Sequence, residues 1–104
     1  MEITFKRTGL DGLYVMTSGR LDLDNAVEYG TKINDFIEDC PEPILNVTLD
    51  FSEITFISSF GLKVILELYK NLNAQNGELK LRNVSEELKK SFNMVGFNKF
   101  LVFE

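Results

Sequence analysis

The sequence predicts a single-domain α/β fold, a mixed five-stranded sheet in the order ββαβαβαβ with an N-terminal hairpin and its helices packed on the sheet. Three observations lead there. The first two strand-like stretches are separated only by Gly9 to Gly12, which is turn chemistry for an antiparallel hairpin. Segments with helical apolar spacing then separate strands three, four and five, which demands right-handed crossovers and a parallel arrangement of those strands. Finally, 104 residues, 44% hydrophobic and 26% charged, suffice for one core without staples and contain no linker, repeat or low-complexity stretch, so residues 1–104 read as one domain.

Met1 to Arg7 alternates, with Ile3 and Phe5 on one side and Glu2, Thr4 and Lys6 on the other, the pattern of a half-exposed edge strand. Leu13, Val15 and Thr17 oppose Tyr14 and Met16 in a second strand expected to end at Ser18 and Gly19. In GRLDLDNAVEYGTKINDFIEDC, Ala26, Tyr29, Gly30, Ile33, Phe36, Ile37 and Cys40 recur at helical spacing and define the first helix. Asp22, Asp24 and Asn25 compete as its start, Asn25 with Glu28 fits a capping box, and Pro41 and Pro43 stop it. Gly30 costs about 1 kcal/mol against Ala inside a helix, which points to close approach of another backbone. Cys40, the only cysteine, sits on the apolar stripe and reads as packing; it excludes an intramolecular disulfide and fits a cytoplasmic setting.

Ile44 to Phe51 reads as a central strand with Asp50 at its carboxyl end, where open α/β sheets present ligand groups, and Ser52 to Ile57 leads out of it. Ser58 and Ser59 then open the second helix, where free backbone N–H groups and the positive dipole end favour added negative charge. Serine is also a preferred N-cap, and spacing alone favours that plainer role. On the helical wheel Leu62, Ile65, Leu66, Tyr69 and Leu72 share the core face, Lys63, Glu67, Lys70 and Asn71 the polar one. Phe60 and Val64 fall on the polar side, which makes Phe60 either a candidate partner anchor or a cover for a neighbouring loop. Asn76 and Gly77 turn the chain into a fourth strand, Glu78 to Arg82. Ser85 caps a third helix bearing Leu88, Phe92 and Val95, Gly96 closes it, and Lys99 to Phe103 is the fifth strand.

The chain contains no histidine, which removes the commonest general base and the commonest nitrogen ligand for a metal. A serine nucleophile would need a lysine base, yet Lys63 lies four positions after Ser59 and not in an S-x-x-K arrangement. No glycine-rich phosphate cradle is present. Asp22, Asp24 and Asp50 could converge on a metal, but the first two read as helix-start and solvated acids. No enzyme activity, cofactor or metal is therefore expected. A net charge of −5 disfavours nucleic acid, and no apolar run approaches the roughly 20 residues of a membrane span.

Three stretches, GRLD, LDFSEITFISSFGLKVIL and NGELKLRNVSEELKKSFNMVGF, together resemble the STAS domain, and within it the small anti-sigma factor antagonists of bacteria. The resemblance implies a STAS-like fold and transcription regulation through a protein partner that is both serine kinase and anti-sigma factor, opposed by a PP2C-type phosphatase. Similar proteins carry D-S-S/T-G-L at the head of the second helix, with the serine after the acid phosphorylated. Aligned on Gly61 and Leu62, that serine is Ser59, and Asp22 of GRLD matches an acid near it. Ser58 stands where the acid is usual and Phe60 where a small residue is usual; the closing helix common in similar domains is not expected after the fifth strand. The implied partner-binding surface comprises Asp22, Asp24, Ser58, Ser59, Phe60, Lys63 and Val64. The alternative is a STAS subunit of a sensory complex or transporter assembly that uses this surface without phosphorylation.

Overall fold

The computed structural model describes residues 1–104. Strands β1 (Glu2–Thr8), β2 (Gly12–Leu21), β3 (Asn46–Ile57), β4 (Glu78–Arg82) and β5 (Val102–Phe103) lie side by side in that order. β1 and β2 are antiparallel, and β2 to β5 are parallel. Helices α1 (Leu23–Asp39), α2 (Ser59–Ala74) and α3 (Glu86–Met94) make the crossovers. Strand order advances in one direction, so right-handed crossovers place all three helices on one face of the sheet. That face holds the core: Leu13 and Val15, Val47, Leu49 and Phe51, and Leu79 and Leu81 are buried on it.

The elements differ from expectation where a glycine or a second packing surface intervenes. β2 does not stop at Gly19 but continues to Leu21, because Gly19 (φ 109°) sits among register shifts in its pairing with β3. A glycine that looked like a terminator is part of a bulge. β3 likewise runs on to Ile57, which leaves Asp50 in mid-strand, between Met16 and Arg82, instead of at the carboxyl end. At the fifth strand, Phe97–Lys99 form a turn of 3-10 helix and only Val102 and Phe103 pair with β4.

In α1 the N-cap is Asp22, whose carboxylate accepts from Asn25 N at 3.0 Å. The Asn25–Glu28 capping box does not form: the Asn25 amide donates to Arg20 O, and Glu28 pairs with Lys32 one turn on. Val64 does not point outward. The wheel assumed one buried face, whereas α2 packs on both the sheet and α1, and a Cβ at Gly30 would lie 2.8 Å from Val64 Cγ1. Gly30 thus makes room for a side chain, not for a backbone. Leu68, absent from the expected core face, is also buried, and Val95 at the end of α3 is half exposed instead of inside. The nine-residue α3 is held by Phe92, whose ring centroid lies 6.1 Å from Phe51 and 5.5 Å from Phe103.

Two hydroxyls in this core, Thr17 Oγ1 on β2 and Tyr29 OH on α1, are buried with no hydrogen-bond partner beyond each other. A buried hydroxyl left unpaired costs about 1–3 kcal/mol of desolvation.

Candidate functional site

The parallel register that ends β2 and β3 side by side also sets the site. Leu21 pairs with Ile57, and Ser58 N donates to Leu21 O at 2.9 Å. The next residue of each strand caps a helix: Asp22 opens α1, and Ser58 opens α2 by accepting from Gly61 N at 3.0 Å. Two helix N-termini consequently share one rim of the sheet, and GRLD is brought against ISSFG. Gly61 permits the approach, since a Cβ there would sit 3.0 Å from Leu21 O and 2.8 Å from Ile57 Cγ1.

Ser59, the first residue of α2, is exposed and is not the cap. It borders a shallow cleft with Ile57, Leu62, Ser91, Met94 and Val95. Asp24 and Lys63 are exposed on the first turns of α1 and α2. Phe60 is half-buried but lies outside the core cluster, and Val64 is turned toward α1. Asp22, Ser58, Ser59 and Gly61 are thus grouped at the rim, with Asp24, Phe60 and Lys63 close in sequence, while Val64 serves helix packing.

Sequence reasoning missed an apolar border to this rim. Leu23 and Val27 are 59% and 49% exposed one turn apart on α1, and Met94 is 87% exposed at the end of α3. Phe56 is exposed on β3 with the Arg20 guanidinium 4.3 Å from its ring centroid. The i, i+4 spacing of Leu23 and Val27 was a visible signal. Phe56 gave none while its segment read as a lead-out loop.

Asp50 is placed elsewhere, on the helix-free face of the sheet. Only 3% exposed, its carboxylate accepts from the Tyr14 hydroxyl, from Ser52 N at 2.8 Å and from Asn83 Nδ2 at 3.3 Å. Burial alone would raise this carboxyl; the hydrogen bonds from Tyr14, Ser52 and Asn83 outweigh it and hold it below the usual carboxylate range. A folded-state value below the unfolded one stabilises the fold above the ordinary carboxylate pKa of about 3.9, and that contribution is lost as pH falls through the folded value. The expected result is a urea midpoint that drops more steeply below about pH 4 in the parent protein than in Asp50→Asn. Parallel curves would remove Asp50 from the acid transition.

No group of three or more His, Cys, Asp or Glu side chains is arranged to hold a metal ion, and Asp50 does not join Asp22 and Asp24. No helix is long and apolar enough to cross a membrane.

A five-stranded mixed sheet with three helices, displaying two capped helix N-termini at one rim, defines a small single-domain α/β fold. The chain belongs to the STAS domain family, whose model matches residues 3–104. Its fold is similar to that of an anti-sigma factor antagonist from Mycobacterium paratuberculosis (21% identity, TM-score 0.78, 98% of this chain and 85% of that one). It is also similar to the phosphorylated form of the Bacillus cell fate determinant SpoIIAA (19% identity, TM-score 0.75, 99% and 91%). The same fold occurs in the murine anion transporter Slc26a9 (15% identity, TM-score 0.76, 89% of this chain but 15% of the transporter).

Proposed function

We propose that the protein is a cytoplasmic anti-sigma factor antagonist of a bacterial transcription switch. Unmodified, it docks the rim around Ser59 on an anti-sigma factor that is also a serine kinase; phosphorylation of Ser59 releases it, and a PP2C-type phosphatase resets it. The observation that carries this reading is the separation of tasks between the two serines. Ser58 supplies the cap, so the exposed Ser59 hydroxyl can be modified without removing a bond on which α2 depends. The phosphate then sits where helix N–H groups and the dipole favour an anion. Asp22, Asp24, Phe60 and Lys63, with the apolar border, supply the docking surface.

Incubation with the cognate kinase and ATP is expected to add one phosphate, located on Ser59 by peptide mass mapping and abolished in Ser59→Ala. Partner capture without any phosphate on Ser59 would instead support a STAS subunit that binds constitutively. That second reading draws on one feature: the first turn of α2 has no acid, and Ser58 occupies the position where similar proteins carry one.

A further inference from the structure

The two edges of the sheet are finished differently. β5 offers only two residues to a neighbour, with Glu104 and Lys80 paired across its end. β1 offers seven, and no further strand lies beside it. An uncovered strand of that length is a template for another strand unless its side chains oppose pairing. Charged side chains, lysine above all, are a usual protection, because they repel or cannot be matched by an incoming strand; on β1 Glu2 and Lys6 are opposite in sign on the same face, and neither enters an ion pair within the chain. At about 3.3 Å per residue they stand roughly 13 Å apart along the strand, too far to pair with each other.

We infer that β1 pairs antiparallel with β1 of a second copy of this chain, about a two-fold axis at Thr4. In that register Glu2 faces Lys6 of the other copy, and Lys6 faces its Glu2, while Ile3 faces Phe5 on the helix side. Both ion pairs and both Ile–Phe contacts arise from one symmetric register. Shifting the axis to Phe5 sets Glu2 against Thr8 and Lys6 against Thr4, so neither ion pair forms. Phe5 is prepared for the contact, because its ring is already stacked on Phe36 of α1 at 4.5 Å with 12° between planes. Ile3 and Phe5 are half-buried and would be covered by the partner copy. The interface is isologous and closes at two, giving one continuous sheet across both copies. This inference does not depend on the role proposed for Ser59.

Sedimentation equilibrium up to about 1 mM protein tests it, a range that detects weak self-association. The parent chain is expected to show a monomer–dimer equilibrium. Glu2→Lys alone and Lys6→Glu alone each turn both ion pairs into repulsions and are expected to weaken dimerisation by about tenfold. The double variant Glu2→Lys/Lys6→Glu restores the parent constant. An equimolar mixture of the two single variants forms a heterodimer, since the first then carries lysine and the second glutamate at both positions, and every lysine faces a glutamate. Both positions are exposed, and unchanged circular dichroism confirms the fold of each variant. A parent chain that stays monomeric throughout overturns the inference, as do single variants that dimerise like the parent or a mixture that does not associate.

Discussion

Ser59→Glu is expected to weaken binding of the proposed anti-sigma partner by about threefold to a hundredfold while leaving the fold intact or slightly more stable. The two effects have separate causes. A charge brought within about 6 Å of a carboxylate of the partner or of the rim itself is repelled by roughly 1–5 kcal/mol for a phosphate, between water-like and protein-like dielectrics. Glutamate, with half the charge, reproduces the lower part of that range. The same negative charge on the first residue of α2 meets the helix dipole favourably, by about 0.3–1 kcal/mol. Ser58 keeps its bond to Gly61 N throughout. Calorimetric titration with the partner and urea denaturation of the variant measure the two sides. Equal affinity for Ser59→Glu and Ser59→Ala would sink the switch; a large loss of stability would show that Ser59 has a structural task.

Gly61→Val is expected to cost about 3 kcal/mol of stability and to abolish partner binding at temperatures where the chain remains folded. The first branched carbon would lie 3.0 Å from the Leu21 carbonyl oxygen and 2.8 Å from Ile57, both fixed by the β2–β3 register. Relief requires α2 to move off the strand end, which separates Ser58 and Ser59 from Asp22. Gly61→Ala is milder, because alanine recovers about 1 kcal/mol of helix propensity against its own overlap. A Gly61→Val protein with parent affinity would show that the rim tolerates a displaced helix. Crosslinking or titration at a temperature well below its midpoint makes the comparison.

Most of the architecture was legible because its signals are local. The alternation of β1, the helical spacing of α1 to α3 and the serine caps at Ser58 and Ser85 are set by residues within one turn of each other. What escaped depends on neighbours distant in sequence. Gly19 reads as a stop until a parallel partner strand absorbs its bulge. Asp50 looks like a strand end until β3 is seen to continue, and Val64 looks exposed until α1 is laid beside it at Gly30. At the rim, GRLD and the serine pair could be related only through family resemblance, since nothing within either segment states that β2 and β3 end together. Phe56 and Met94 of the apolar border were hidden for the same reason, whereas Leu23 and Val27 were visible by their spacing on α1.

β3 has β4 as a neighbour only from Asn46 to Asp50, and beyond that it is paired on one side alone. The strand that carries the chain into Ser58 is therefore double-bonded in its first half and single-bonded in its second. Local opening begins where backbone partners are fewest. Amides from Glu53 to Phe56 are expected to exchange with solvent deuterium faster than those of Val47 and Leu49. Such a gradient gives the rim a compliance the core lacks, so a partner can adjust the seat of two helices without disturbing the sheet beneath them.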